Sequence, residues 1–305
     1  MLVMFKGKTN KDFLYINTFV GIKSNAGAWY QVIKFLGKGG NGVSYLVLCT
    51  EGDYQGCVFT LKILYRISEP ERVDKFLHEI AFLKDCNYPT VLKQYDEGNW
   101  NGRPFVVVDY MSKTLTEEIQ KEHILLSNKI LYSLQLLSAL KYLRSKNVVH
   151  RDIKPSNIFI KDKTAILGDF GLIKDVTNQE DDDIDEFKGS LAMAHAYRTP
   201  ELVSYARSES PLCFESDIFQ LGLVLCELFT GRNPLKPTDD PLSDVQLNPI
   251  SNSHNSYTNK AIWIIRQMLK IDKDERISLD NALARFNMLF ENYSKEKEKL
   301  DGSAV

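Results

Sequence analysis

The stretch HRDIKPSN, residues 150–157, gathers His150, Arg151, Asp152, Lys154 and Asn157 just ahead of the apolar run IFI. Taking an unpaired charge out of water is costly, so a loop that collects charges beside an apolar run must use them. Far upstream, GKGGNG at 37–42 spaces Gly37, Gly39 and Gly42 as G-x-G-x-x-G between two strand-like runs. A dinucleotide-binding fold would follow such a loop with a helix. Here VSYLVLC follows, so the glycines form a hairpin lid whose backbone can approach phosphates. Lys62 lies twenty residues after Gly42, and Glu79 seventeen after Lys62. A strand lysine whose ammonium is fixed by a carboxylate, next to a glycine lid, can hold phosphate oxygens.

These groups need elements to aim them. In CVFTLKIL the strand period puts Phe59, Leu61 and Ile63 on one face and Val58, Thr60, Lys62 and Leu64 on the other, so Lys62 points away from the most apolar face. The segment from Ser68 reads as a helix with Ser68 as N-cap, Pro70 in the first turn and Glu71 closing a capping box. Val73, Phe76, Ile80 and Leu83 form its apolar stripe; Glu79 sits on or beside that stripe and calls for a cation. After the strand signal RPFVVVDYM the pattern becomes mainly helical: Leu126, Ile130, Leu134, Leu137 and Leu140 keep a helical period, ESDIFQLGLVLCELFTG ends on Gly231 as C-cap, and NKAIWIIRQML follows. Strands plus one helix, then helices, with the chemistry near the junction, imply two lobes with a cleft between them.

Composition excludes several classes. The 305 residues, 44% apolar and 26% charged, can bury a large core, and a formal net charge of -2 gives no global pull toward nucleic acid or an anionic membrane. The charges are uneven: residues 1–40 carry six Lys against one acid, and residues 175–186 carry seven acids and no base. Five widely spaced cysteines, Cys49, Cys57, Cys86, Cys213 and Cys226, with no C-x-x-C pair, argue against a disulfide framework or zinc site and for a reducing, cytoplasmic setting. The most apolar run, IFQLGLVLCELF, is too short to span a bilayer and is interrupted by Gln220 and Glu227.

Taken in order, Gly37, Gly39 and Gly42, FTLK ending at Lys62, Glu79, HRDIKPSN, DFG at 169–171, TPE at 199–201 and DIFQLG at 217–222 resemble a eukaryotic-type serine/threonine protein kinase catalytic domain over roughly residues 29–290. The resemblance implies an α+β fold: a small antiparallel β-sheet lobe with one key helix at 29–111, a hinge at about 108–112, and a larger, mainly helical lobe at 112–290 with an activation segment at 169–201. Residues 1–28 would pack on the small lobe as an extension, and 291–305 would be a solvated tail.

The resemblance also implies roles. Asp152 would accept the substrate hydroxyl's hydrogen bond, Lys154 would reach the transferring phosphoryl group, and Asn157 and Asp169 would bind Mg²⁺. ATP would be held by Gly37, Lys38, Gly39, Gly42, Lys62 and Glu79, with Thr60, Val108, Asp109, Met111 and Phe159 around its base. Lys154, two positions past Asp152, is similar to serine/threonine-directed members, and an ion pair between Glu201 and Arg276 would brace a protein-substrate platform. Partners would be protein substrates, with transient self-association for autophosphorylation at Thr177 or Ser190 and Arg151 as the receptor of that phosphate. A pseudokinase or scaffold of the same fold is the alternative. The chain departs from the family at Ser44 (usually Val), Thr60 (usually Ala), Ala194 (usually Thr) and Ser156. The first two imply modest ATP affinity or a shifted hairpin.

Overall fold

The computed structural model describes residues 16–39, 42–121, 124–176 and 195–302, and divides into two compact units: residues 1–88 with 92–111, and residues 89–91 with 112–305. The first is built on six antiparallel strands, β1 (Gly21–Lys23), β2 (Trp29–Lys38), β3 (Gly42–Glu51), β4 (Val58–Leu64), β5 (Gln94–Trp100) and β6 (Arg103–Asp109), in the order β1-β2-β3-β4-β6-β5. Strand alternation puts Tyr30, Val32, Val43, Tyr45, Val47, Phe59, Leu61, Ile63, Phe105 and Val107 into one core, joined by Ile16 and Ile22. The sheet curls until its two ends meet: the Asn25 N–H, just past β1, donates to the Glu97 carbonyl of β5 at 2.9 Å. Gly98 permits this, since a Cβ there would stand 2.5 Å from Phe105 Cζ and 3.2 Å from Ser24 Cα.

Helix α1 (Pro70–Lys84) belongs to the same unit and buries Phe76, Glu79, Ile80 and Leu83. The capping box expected at Ser68 and Glu71 does not form. Glu69 occupies the N-cap without a side-chain cap bond, because its carboxylate is taken by the Arg72 guanidinium, with Arg66 3.7 Å away.

The second unit is mainly helical: α2 (Leu115–Gln120), α3 (Leu126–Ser145), α4 (Pro200–Ala206), α5 (Glu215–Thr230), α6 (Ser256–Met268) and α7 (Leu279–Gly302). Two small antiparallel ladders accompany them, β7 (Val148–Val149) with β10 (Lys174–Asp175) and β8 (Ile158–Lys161) with β9 (Thr164–Leu167). α5 is buried along nearly its whole length, as its apolar sequence demands, and ends on Gly231 at φ 74°, the left-handed C-cap expected there. Among the described residues no helix is long and apolar enough to cross a membrane.

Candidate active site

In the first unit the pairing of β3 with β4 sets Ser44 opposite Lys62, on the face away from the core. Lys62 Nζ donates to both carboxylate oxygens of Glu79, at 2.7 and 2.9 Å. Helix periodicity forces Glu79 into the buried face of α1, at 3% exposure, and strand alternation turns Lys62 outward from the β-core to meet it. The carboxylate thereby gains the cation its burial requires. Val43 is buried in the core, so Ser44 occupies the outward position after the glycines; irregular register between Phe35 and Gly37 accommodates the turn.

The glycines divide by role. A Cβ on Gly42 would come within 3.1 Å of Lys62 Cγ and 3.3 Å of the Ile63 carbonyl, so a side chain there would crowd the lysine stem and the strand behind it. A Cβ on Gly37 would meet nothing within 4 Å, and on Gly39 only the Gly42 carbonyl at 3.8 Å. Neither has a positive φ. Among the described residues packing does not require glycine at 37 or 39; what glycine leaves there is room beside backbone, which fits the phosphates of a nucleotide. The Lys38 ammonium lies over the Tyr65 ring, 4.5 Å from its centroid.

On the remaining strands, Thr60 pairs with Leu46 and Val108, and Val108 is buried. The Asp109 N–H donates to the Lys93 carbonyl at 3.1 Å, and its carboxylate accepts from the Tyr95 hydroxyl at 3.3 Å. Burial, and after it the Asp109 carboxylate, pushes the Tyr95 phenol up to about 12. Met111 is half-buried at the end of the unit.

The second unit carries the charged loop. Asp152 is buried, and Lys154 Nζ donates to both its carboxylate oxygens at 2.9 and 2.7 Å. Asn157, in a 3-10 turn at Pro155–Asn157, donates from Nδ2 to Asp152 Oδ2 and to the Asp152 carbonyl, both at 2.8 Å. With Nδ2 so engaged, Asn157 offers Oδ1, a hard oxygen of the kind Mg²⁺ prefers. Asp169 is an exposed carboxylate on strained backbone at φ 57°. Burial is the largest cause raising the Asp152 pKa; Lys154 and Asn157 pull it down, and the Asp169 charge adds to the rise. Two such oxygens would be few for a protein-only metal cage and would suit an ion that also binds phosphate. The Gly168 N–H donates to the Asn157 carbonyl at 2.9 Å and so ties this turn to the DFG segment. Phe159 is half-buried on β8 and bridges to Thr114.

His150 is wholly buried against the Phe170 ring, with centroids 5.0 Å apart. Its Nε2 meets the Gly168 carbonyl at 3.1 Å while Nδ1 accepts from the Asp152 N–H at 3.3 Å. That arrangement requires the neutral Nε2–H tautomer, since a second proton on Nδ1 would face another N–H. Burial accordingly lowers the His150 pKa to about 4.

Arg151, expected as a phosphate receptor, has its guanidinium on main-chain carbonyls of the DFG segment's continuation. Its Nε donates to the Leu172 carbonyl and Nη2 to the Ile173 carbonyl, the latter at 3.2 Å. Thr177, Ser190 and Ala194 lie outside the described residues. Arg276 Nη2 meets Glu201 at 2.7 Å, and the same guanidinium donates to the Glu215, Lys270 and Ile271 carbonyls. Sequence reasoning missed Arg198: at 2% exposure it is buried, and its Nε has no hydrogen-bond partner among the described residues. An arginine next to TPE carries no signal of burial.

A strand-borne Lys–Glu pair under a glycine turn, and a buried Asp–Lys–Asn cluster joined to a DFG segment, are the two halves of a protein kinase domain. The family model described as the protein kinase domain matches residues 30–286, and the chain belongs to that family. Among curated proteins it is 29% identical over 271 residues to the probable serine/threonine-protein kinase nek3 of Dictyostelium discoideum, covering 83% of this chain and 23% of that protein. It is 27% identical over 310 residues to the ovarian-specific serine/threonine-protein kinase Lok of Drosophila melanogaster, covering 92% of this chain and 60% of that one. The chain thus spans about a quarter and three fifths of the lengths of these relatives.

Proposed function

We propose that this chain is an ATP-dependent serine/threonine protein kinase. The observation that carries the reading is Asp152, a buried carboxylate held at fixed distances by Lys154 and Asn157. Phosphoryl transfer asks little covalent chemistry of a protein and much positioning. Asp152 accepts the hydrogen bond of the substrate hydroxyl and takes its proton late in transfer; the burial that raises its pKa makes it a better acceptor. Lys154 presents a point charge to the moving phosphoryl group. Lys62, fixed by Glu79, would hold phosphate oxygens, and Gly37, Lys38, Gly39 and Gly42 would offer backbone N–H groups to the triphosphate. Thr60, Val108, Asp109 and Met111 of the first unit, and Phe159 of the second, are the residues assigned to the base. Asn157 and Asp169 would hold Mg²⁺, which would supply charge neutralisation to the triphosphate.

Residues 29–111 form the nucleotide-binding part and 112–290 the part that holds the hydroxyl substrate. Lys154 at two positions past Asp152 favours serine and threonine, and both relatives bear serine/threonine kinase names. The Glu201–Arg276 pair supports a protein rather than a small-molecule substrate. The reducing setting implied by the cysteines supports a cytoplasmic location, with autophosphorylation through transient self-association. The test is incubation with labelled ATP and Mg²⁺. Label on the chain itself or on a generic protein with wild type, and none with Asp152→Ala, is the expected result. No label with either form, or equal label with both, would sink the reading in favour of a scaffold.

A further inference from the structure

Gln220 interrupts the apolar run of α5 and is 1% exposed, yet every hydrogen bond of its amide leaves the helix. Oε1 accepts from the Ile153 N–H at 2.9 Å; Nε2 donates to the Arg151 carbonyl at 3.0 Å and to the Tyr197 carbonyl at 2.9 Å. The orientation of the amide is unambiguous, since an N–H can meet only the oxygen and two carbonyls can meet only the nitrogen. Asp217, one turn earlier, accepts from the His150 N–H at 2.7 Å and the Arg151 N–H at 3.1 Å. Glu227, two turns later on the same stripe, accepts from the Tyr197 hydroxyl.

The four N–H groups of residues 150–153 are therefore all accounted for. The N–H groups of residues 150, 151 and 153 go to α5, and that of 152 goes to the His150 ring. Arg151 holds φ 68°, a left-handed conformation that costs a non-glycine residue free energy and persists only where its surroundings impose it. Asp217 grips that residue by its N–H and Gln220 by its carbonyl. The same Gln220 amide fixes Tyr197, two residues before the TPE segment.

We infer that Gln220 is a positioning residue that couples the backbone flanking Asp152 to the chain at Tyr197, so that proton acceptor and protein-substrate platform are set by one side chain. The inference rests on the kinase reading above. Gln220→Leu keeps the bulk and removes all three bonds. Gln220→Glu keeps the acceptor for Ile153 and sets an oxygen against two carbonyls.

The test combines steady-state kinetics with hydrogen–deuterium exchange over residues 148–157, well below the thermal midpoint. For Gln220→Leu we expect kcat to fall on the order of 10- to 100-fold, the size of effect that a small misplacement of a reacting group produces. KM for ATP should stay within about two-fold of wild type, and exchange at the Ile153 amide should quicken. A merely structural role would lower the thermal midpoint without this split. A kcat within about two-fold of wild type in folded protein overturns the inference, as does unchanged exchange at Ile153. Should Gln220→Leu not fold, Gln220→Glu is measured by the same criteria. If wild type and Asp152→Ala take up equal label, the kinase reading has failed, and the exchange at Ile153 still decides whether Gln220 holds the loop.

Discussion

The two units secure their charges by opposite means. In the first, Lys62 and Glu79 come from separate elements, a strand and a helix, and they meet in one bidentate contact of 2.7 and 2.9 Å. In the second, Asp152 sits on a loop fastened through its main chain to a buried helix, with Asp217 and Gln220 as the fasteners. A contact between two side chains depends on where its two elements lie, so a shift of α1 against β4 would change it directly. A loop held by many backbone bonds has no comparable freedom. The first arrangement suits an adjustable charge, the second a fixed one.

The sharpest way to test the fixed half is to change its chemistry and leave its shape. Asp152→Asn should keep the fold and lower kcat by about 10²- to 10⁴-fold, the worth of a positioned proton acceptor, in a labelled-phosphate assay. Next in size is the brace beneath it. Arg276 is fully buried against Glu201, so Arg276→Met, which strands the carboxylate, should cost about 3–5 kcal/mol in denaturant unfolding. Glu201→Gln keeps an acceptor for the guanidinium and should cost about 1 kcal/mol. In the adjustable half, Glu79→Ala should lower kcat/KM by roughly 10- to 100-fold, mostly through KM for ATP, because it frees the ammonium to wander without touching the proton acceptor. If kcat fell instead with KM unchanged, the contrast between the halves would be wrong.

Two smaller effects probe the loop's surroundings. The folded-state pKa of His150, about 4, lies below its ordinary 6.5, so the unfolded chain takes up a proton first as pH falls. The stability that neutral His150 permits is whole above pH 6.5 and is lost progressively between pH 6.5 and 4. His150→Phe should remove about 2 kcal/mol of the decline between pH 6.5 and 5, measured as the difference in unfolding free energy from wild type at each pH. Asp217 opposes this slope in both proteins, since burial pushes its pKa up to about 7. Its share cancels in the difference. Last, the turn between β8 and β9 holds Asp162 at φ 47° and Lys163 at φ 64°. Lys163→Gly should stabilise by about 0.5–1 kcal/mol. Arg151→Gly, at a similar φ but inside the clamp, should gain nothing in activity.

Much of this was legible in the sequence. The strand face of Lys62, the buried stripe that holds Glu79, the Gly231 cap and the charged loop all follow from local periodicity and residue type. The misses share a cause. The helix begins after Glu69 because two arginines occupy that carboxylate, a competition between side chains that a capping pattern does not encode. The strand Gln94–Trp100 reads as polar because it lies at the end of the sheet order. Gln220 looks like an interruption of an apolar run until the loop that uses its amide is beside it, and the partners in question are 23 to 69 residues away.

The curl of the six-stranded sheet has a consequence for how the molecule meets others. A sheet with open ends offers unpaired N–H and C=O groups to any extended chain, and strand addition is a common route to both recognition and aggregation. Here the chain after β1 reaches across to Glu97, and Gly98 lets it lie close. Among the described residues the two ends of this sheet are thus turned toward each other rather than outward. Where Asn25 meets Glu97 a peptide or a second copy finds the edge already engaged and must be met through side chains, and such contacts are sensitive to salt and to single substitutions in a way that a backbone ladder is not.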